Sequence, residues 1–298
     1  MFKNLTLYRI SAAWPAKLPQ LEEALARNTF TECRPTQEQS TGWAPPRGEA
    51  HGALAEAVNG HWILRFMIET RLLPASVVRR AVAAKLEAIE AKTGRKPSRQ
   101  QARELREQIT AELLPQAFTR QAGVGVWIDP RARLLAVDTA AKAKADLVIV
   151  ALIRSLDRFN VALLDTRTAP ATAMAHWLAQ REAPGEFDLD RECELKSTDE
   201  AQAAVRYSRH PLDIAEIRRH IDGGKQPTRL GLTWSGRVSC VLTDTLQIKK
   251  IRFLEGVFKE AAAEDEDRFD ADAAIATGDL ARLTADLVEA LGGEAVPA

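Results

Sequence analysis

Residues 61–133 constrain the fold most. "HWILRFMIETRLL" (61–73) is dense in β-formers and reads as a strand. Pro74 then suits a helix start, and Val78, Val82, Leu86 and Ile89 recur at three- and four-residue spacing until Gly94. "GRKPS" breaks the chain. "SRQQ" (98–101) has the form of a capping box, Ser98 offering its hydroxyl and Gln101 reaching back, and Ala102, Leu105, Ile109 and Leu113 mark the buried side of a second helix. Two β-rich runs, "VGVWIDP" and "RLLAVDT", follow as a hairpin turning at 130–133. A chain that switches from strand period to two helical periods and back is neither all-α nor all-β.

The remainder keeps this mixture. "FKNLTLYRIS" reads as a first strand, "LPQLEEALARNTF" as a short helix, and "STGWAPPRGEAHG" (40–52) as a loop by its Pro and Gly content. "AAKAKADLVIVALIRSLD" (140–157) reads as a helix, "FNVALLD" as a strand and "PATAMAHWLAQ" as a helix. From 186 to 254 the pattern is mainly β, interrupted by the helix-like "LDIAEIRRHIDGG" with its terminal glycine pair. The tail "FDADAAIATGDLARLTADLVEALGG" reads as a short strand and then a helix. The expected fold class is therefore α+β, with mixed, mostly antiparallel sheets and amphipathic helices. A chain of 298 residues is long for one core. Four portions are expected: 1–73, a basic helical segment at 74–121, a central α/β portion at 122–180, and a β-rich portion at 181–298 that ends in an acidic connector and a helix.

No segment approaches the roughly 18 uninterrupted apolar residues of a membrane span, and the first residues lack a secretory pattern, so a cytoplasmic location without membrane contact is expected. Cys33, Cys193 and Cys240 are too scattered for a disulfide framework or a metal knuckle and read as small buried hydrophobes. Formal net charge is zero, but it is segregated. Residues 71–121 hold eleven Lys and Arg against five Glu, while residues 255–298 hold twelve acids against three bases. Such polarity fits a basic face offered to a polyanion, or two solvated helical faces of opposite sign.

Catalytic patterns are thin. The sequence has no phosphate-cradling G-x-x-x-x-G-K-[ST], no G-x-G-x-x-G after a strand and no H-E-x-x-H. His51, His61, His176, His210 and His220 show no ligand-like spacing and read as surface or half-buried structural residues. The oxygen-rich run "EDEDRFDAD" (264–272) suits a hard cation in principle, but without the spacing of a calcium loop it reads as a solvated connector. Neither an enzyme nor a cofactor is expected.

Binding chemistry is better represented. Arg99, Arg103 and Arg106 sit at i, i+4 and i+7 and form one stripe, with Arg95 and Lys96 in the turn before them. "VRYSRHP" groups Arg206, Tyr207 and Arg209. "QIKKIRF" interleaves Lys249, Lys250 and Arg252 with apolar residues, and strand alternation would put Lys250 and Arg252 on one face and Lys249 on the other. No pattern for base readout accompanies these groups, so any nucleic-acid binding should be nonspecific and salt-dependent. "LLPQAFTRQAG" (113–123) sets Phe118 beside this charge, as a core plug or as a contact offered to another molecule.

Several strings, in order along the chain, resemble the recombination-associated RdgC family of proteobacteria. They are "FKNLTLYRI", "GWAPP", "LLPQAF", "WID", "ELKS" (194–197) and the terminal "RFDAD…TGDL…LVEALGGEA". The resemblance implies a DNA-binding protein that is not an enzyme: a horseshoe-like α+β subunit that joins a second copy at both ends into a ring-shaped homodimer. Duplex DNA would pass through the basic hole without sequence preference, restraining RecA-mediated recombination at the nucleoid. The alternative function is a protein-interaction factor that inhibits RecA or a replication protein directly, through the acidic C-terminal region. The resemblance also assigns the motif's aromatic, here Phe118, to a dimer contact that affects DNA binding, with Leu114 and Pro115 beside it. The sequence departs from the family's pattern at Gln116, where a basic residue is usual, and in using arginine where the family favours lysine. Candidate DNA contacts, taken from the charge pattern, are Arg79, Arg80, Lys92, Arg95, Lys96, Arg99, Arg103, Arg106, Arg120, Arg206 and Arg209.

Overall fold

Alternating burial along strands and one-sided burial along helices organise the chain around one large sheet. The computed structural model describes residues 2–199, 203–212, 215–258 and 268–295. The N-terminal half contains β1 (Leu5–Ile10), α1 (Leu18–Ala26), β2 (Gln39–Ala44), β3 (Ala55–Val58) and β4 (His61–Arg71). It continues through α2 (Ala75–Thr93), α3 (Arg99–Leu113), β5 (Thr119–Asp129), β6 (Leu134–Asp138), α4 (Lys142–Ser155) and β7 (Val161–Leu163). The C-terminal half contains α5 (Pro170–Gln180), β8 (Phe187–Ser197), β9 (Ala204–Ser208), α6 (Ala215–Asp222), β10 (Lys225–Trp234), β11 (Val238–Thr243), β12 (Ile248–Phe253) and α7 (Arg268–Ala290). The α+β class with a mostly antiparallel sheet is as expected.

The strand order is β2-β4-β5-β6-β1-β12-β11-β10-β8-β9, with β3 on β4 and β7 on β1. Every pairing between named strands is antiparallel. Within the sheet the two halves join through β1 and β12, which share a single registered pair, Leu5 and Ile248. Two main cores fill opposite faces. Trp43, Phe66, Val126, Leu152 and Phe159 pack on one face under α1 and α4. Trp127, Met174, Trp177, Leu232 and Leu283 pack on the other, under α5 and α7.

Three sequence expectations are corrected. The stretch 40–52 is not all loop, because Gln39–Ala44 pairs with β4 as β2. The tail contains no short strand: Arg268–Ala290 is one continuous helix, whose Ala273, Ala276, Leu280, Leu283 and Leu287 recur at helical spacing and are buried. In β12 the expected alternation fails at a bulge, where Lys250 adopts φ 53. Lys249 then lies opposite Val241 and Arg252 opposite Ser239, so Lys249 and Arg252 share a face. Of the run 264–272, expected to be a solvated connector, residues 264–267 lie outside the described residues, and 268–272 begin α7.

Between β4 and β5 the chain leaves the sheet as a helical arm. Pro74 flanks α2, and Gly94 ends it in the left-handed region at φ 67, its N–H bonding to the Glu90 carbonyl at 2.8 Å. The capping box forms at Ser98: its Oγ accepts from the Gln101 N–H at 3.2 Å, and the Gln101 side chain accepts from the Ser98 N–H at 2.8 Å. Only Val78 in α2 and Ile109 in α3 are buried. The arm therefore projects from the sheet and rests mainly on the mutual packing of its two helices, with Lys85 and Glu112 paired across them at 3.0 Å.

Candidate nucleic-acid interface

At the root of the arm, α3 gives way to a 3-10 turn at Leu114–Gln116 and then to β5. Arg71, the last residue of β4, secures this return. Its guanidinium donates to the carbonyls of Ala117 at 3.1 Å, Cys33 at 3.2 Å, Arg34 at 3.3 Å and Leu114 at 3.4 Å. The Leu72 N–H donates to the Phe118 carbonyl at 2.7 Å. Beside it, the buried carboxylate of Glu69 accepts from the Cys33 N–H and from Gln121. That backbone N–H chiefly holds the Glu69 carboxyl below its ordinary range, against the effect of burial. Phe118 therefore stands 84% exposed on a fixed backbone, with Leu72 beside it at 43%. It is not a core plug. Pro115 is exposed as well, whereas Leu114 is buried in the arm root, so only Pro115 and Phe118 of the three candidate contacts are open to another molecule.

The arm carries most of the candidate phosphate contacts. Arg79, Arg80, Lys92, Arg95, Lys96, Arg99, Arg103 and Arg106 are all exposed. Arg103 pairs with Glu107 at 3.2 Å. The other seven have no ion pair among the described residues. Arg103 and Arg106 line a groove of about 640 Å³ between α3 and the chain near Thr36 and Glu38, so this end of the stripe is partly balanced by acid. Arg120 is exposed on β5, opposite Thr70 of β4.

Arg206 lies at the far end of the sheet, on β9, and Arg209 just beyond it in a left-handed turn at φ 55. Seven inter-strand steps separate β5 from β9. At roughly 4.8 Å per step the two base-bearing ends lie on the order of 30 Å apart. One subunit does not bring them together. Sequence reasoning also misses two residues. Arg71 sits at the end of an apolar strand with no local signal of its role, and Glu194, which binds Arg206, stands out in the sequence only as part of "ELKS".

Within the described part of the acidic C-terminal segment, several carboxylates have partners outside it. Asp270 pairs with Arg47 at 2.6 Å, and Glu294 pairs with Arg9 at 2.6 Å. Asp279 is 1% exposed by side chain and pairs with Arg237 at 2.9 Å and Arg282 at 2.7 Å. Asp286 accepts from the Trp234 indole at 2.7 Å. Asp279 and Asp286 tie α7 to the β10–β11 hairpin, Asp270 ties it to Arg47 after β2, and Glu294 beyond it holds to β1, so these four carboxylates are not a free acidic surface. Among the described residues no group of three His, Cys, Asp or Glu is placed to hold a metal ion, and no helix is long and apolar enough to cross a membrane.

Fold and site define an α+β sheet protein with a basic helical arm at one end, further bases at the other and an exposed aromatic at the arm root. Residues 1–294 match the family model described as "Putative exonuclease, RdgC". The chain is 45% identical over 303 residues to the recombination-associated protein RdgC of Dechloromonas aromatica, covering 100% of this chain and 99% of that protein. It is 46% identical to the protein of that name from Cupriavidus pinatubonensis and 43% identical to that from Bordetella pertussis, covering 98% of each chain in both cases. The chain belongs to the RdgC family. The family description and the relatives' names differ over activity, one naming an exonuclease and the others an association with recombination.

Proposed function

We propose that this protein binds duplex DNA without sequence preference, closes around it as a ring-shaped dimer, and thereby restrains RecA-mediated recombination at the nucleoid. The observation that carries the reading is the pairing of exposed, mostly unpaired bases on the arm with Phe118, 84% exposed, at the arm's rigid root. Lysine and arginine contacts to phosphate give affinity without base readout. A closed ring adds topological retention, so no base contact is needed. A second copy supplies what one subunit lacks, because its own basic ends lie far apart. In this reading no bond is made or broken. The association with recombination in the relatives' names supports it. The alternative, inhibition of RecA through an acidic C-terminal surface, is less favoured because several acids there are spent on Arg9, Arg47 and Arg237.

The test is titration of two unrelated labelled duplexes at rising salt. Equal affinities that fall steeply with salt are expected, because neutralised phosphates release counterions. Salt-indifferent binding overturns the reading. Sedimentation should give twice the 32.8 kDa chain mass, and a monomer overturns the ring. DNA should emerge intact from incubation with magnesium, whereas released nucleotides would favour the exonuclease description. A DNA-binding-deficient variant that still blocked RecA strand exchange would favour direct contact.

A further inference from the structure

Strand alternation gives "ELKS" a physical meaning. Cys193 and Leu195 enter the core beneath α5 and α7, so Glu194 and Lys196 lie on the opposite face of β8. Arg206 on β9 and Arg229 on β10 are the registered partners of Glu194 on its two sides. Glu194 is only 3% exposed, yet its carboxylate meets three cations. The Arg206 guanidinium donates to Oε2, while Lys196 Nζ lies 3.7 Å and Arg229 Nε 3.8 Å from Oε1. The Thr228 hydroxyl donates to Oε1 at 2.8 Å. Burial pushes the carboxyl up, but the bonds from Thr228 and Arg206 and the charge of Arg229 more than offset it and hold the group below its ordinary range.

One carboxylate cannot occupy the donors of two guanidiniums and an ammonium. The side chains of Arg206, Arg229 and Lys196 remain 69%, 44% and 44% exposed, and together with Glu194 they carry a net charge of plus two. Without a central negative charge, cations on neighbouring strand positions repel one another and turn into solvent. A buried anion that gathers them fixes both spacing and direction.

We propose that Glu194 is a positioning residue that sets Lys196, Arg206 and Arg229 as a preformed phosphate-binding platform for the duplex backbone. The platform deepens the DNA-binding reading and rests on it. Glu194 does not touch DNA. It acts through the three bases, two of which, Lys196 and Arg229, do not stand out in the charge pattern of the sequence. Positioning and bulk charge predict opposite signs. If only net charge mattered, removing a carboxylate beside a DNA-binding face would tighten binding. If Glu194 orients the bases, the nearly isosteric Glu194→Gln weakens it.

Wild type, Glu194→Gln and the double variant Lys196→Gln with Arg229→Gln are compared by anisotropy on a short labelled duplex across a salt series, with thermal melting as the check on folding. Glu194→Gln is expected to weaken binding several-fold while the melt stays cooperative. The double variant is expected to flatten the plot of log affinity against log salt by about one to two, since each phosphate that goes unneutralised removes about 0.9 from the slope. Binding by Glu194→Gln as tight as wild type, or tighter, overturns the platform. If that variant does not fold, the double variant at exposed positions decides, and an unchanged salt slope overturns the proposal. Wild type that binds no duplex at all overturns the DNA-binding reading itself, a result distinct from either of these.

Discussion

The Arg71 guanidinium donates to the Ala117 carbonyl at 3.1 Å, one residue before the exposed Phe118 ring. The same group also reaches the carbonyls of Leu114, Cys33 and Arg34, which binds the arm root to the segment preceding β2. A lysine in its place carries the charge but not the planar fork. Arg71→Lys should therefore lower stability by about 1–3 kcal/mol, the scale of one or two charge-assisted hydrogen bonds. It should weaken dimerisation as the turn bearing Phe118 loosens. Denaturant unfolding with an unchanged midpoint would count against the clamp.

Phe118 itself contributes little to the subunit. A side chain 84% exposed buries almost no apolar area within its own chain. Phe118→Ala should change unfolding free energy by no more than about 0.5 kcal/mol, as for other surface positions. Sedimentation at low protein concentration should nevertheless show a shift from dimer towards monomer, and DNA affinity should fall with it. A variant that unfolds, or one that dimerises as well as wild type, contradicts the assignment.

What the sequence made legible was whatever short-range chemistry decides. The arm follows from Pro74, Gly94 and the Ser98–Gln101 box, and each does in the fold what its local chemistry requires. Long-range pairing decided the rest. Residues 119–123 have weak strand propensity and form β5 because β4 offers a continuous partner from Met67 to Arg71. Lys249 and Arg252 share a face because of a bulge that spacing does not reveal. Glu294, Asp270 and Asp279 look like a free acidic surface until the fold brings Arg9, Arg47 and Arg237 to them across more than 40 residues. Glu194 was hidden for the same reason, since two of its cations come from other strands.

The arm stripe can be tested by charge reversal. Arg99, Arg103 and Arg106 are exposed and lie on one stripe of α3. Replacing all three by Glu should leave a cooperative melt while reducing duplex affinity. Repeating the titration across salt should show the slope flattened by about two to three if all three meet phosphates. Retained affinity with an unchanged slope would mean that the arm is a solvated element and that the DNA contacts lie elsewhere on the subunit.

A pH dependence follows from His61. The Trp127 indole donates to His61 Nδ1 at 3.2 Å, which requires that nitrogen to be unprotonated. Burial pushes the His61 imidazole below its ordinary range, and the Asp129 carboxylate, 3.7 Å away, only partly opposes this. In the unfolded chain the group titrates near about 6.5. A histidine whose folded value is depressed favours the neutral form, so its contribution to stability is complete above the unfolded value. That contribution is lost as pH falls through about 6.5 towards the folded value, because the unfolded chain binds the proton more readily. Wild type should therefore lose melting temperature between about pH 7 and pH 5 faster than His61→Gln, whose side-chain oxygen can accept from Trp127 at any pH. Parallel melting curves across that range would show that His61 does not titrate differently in the folded and unfolded chain.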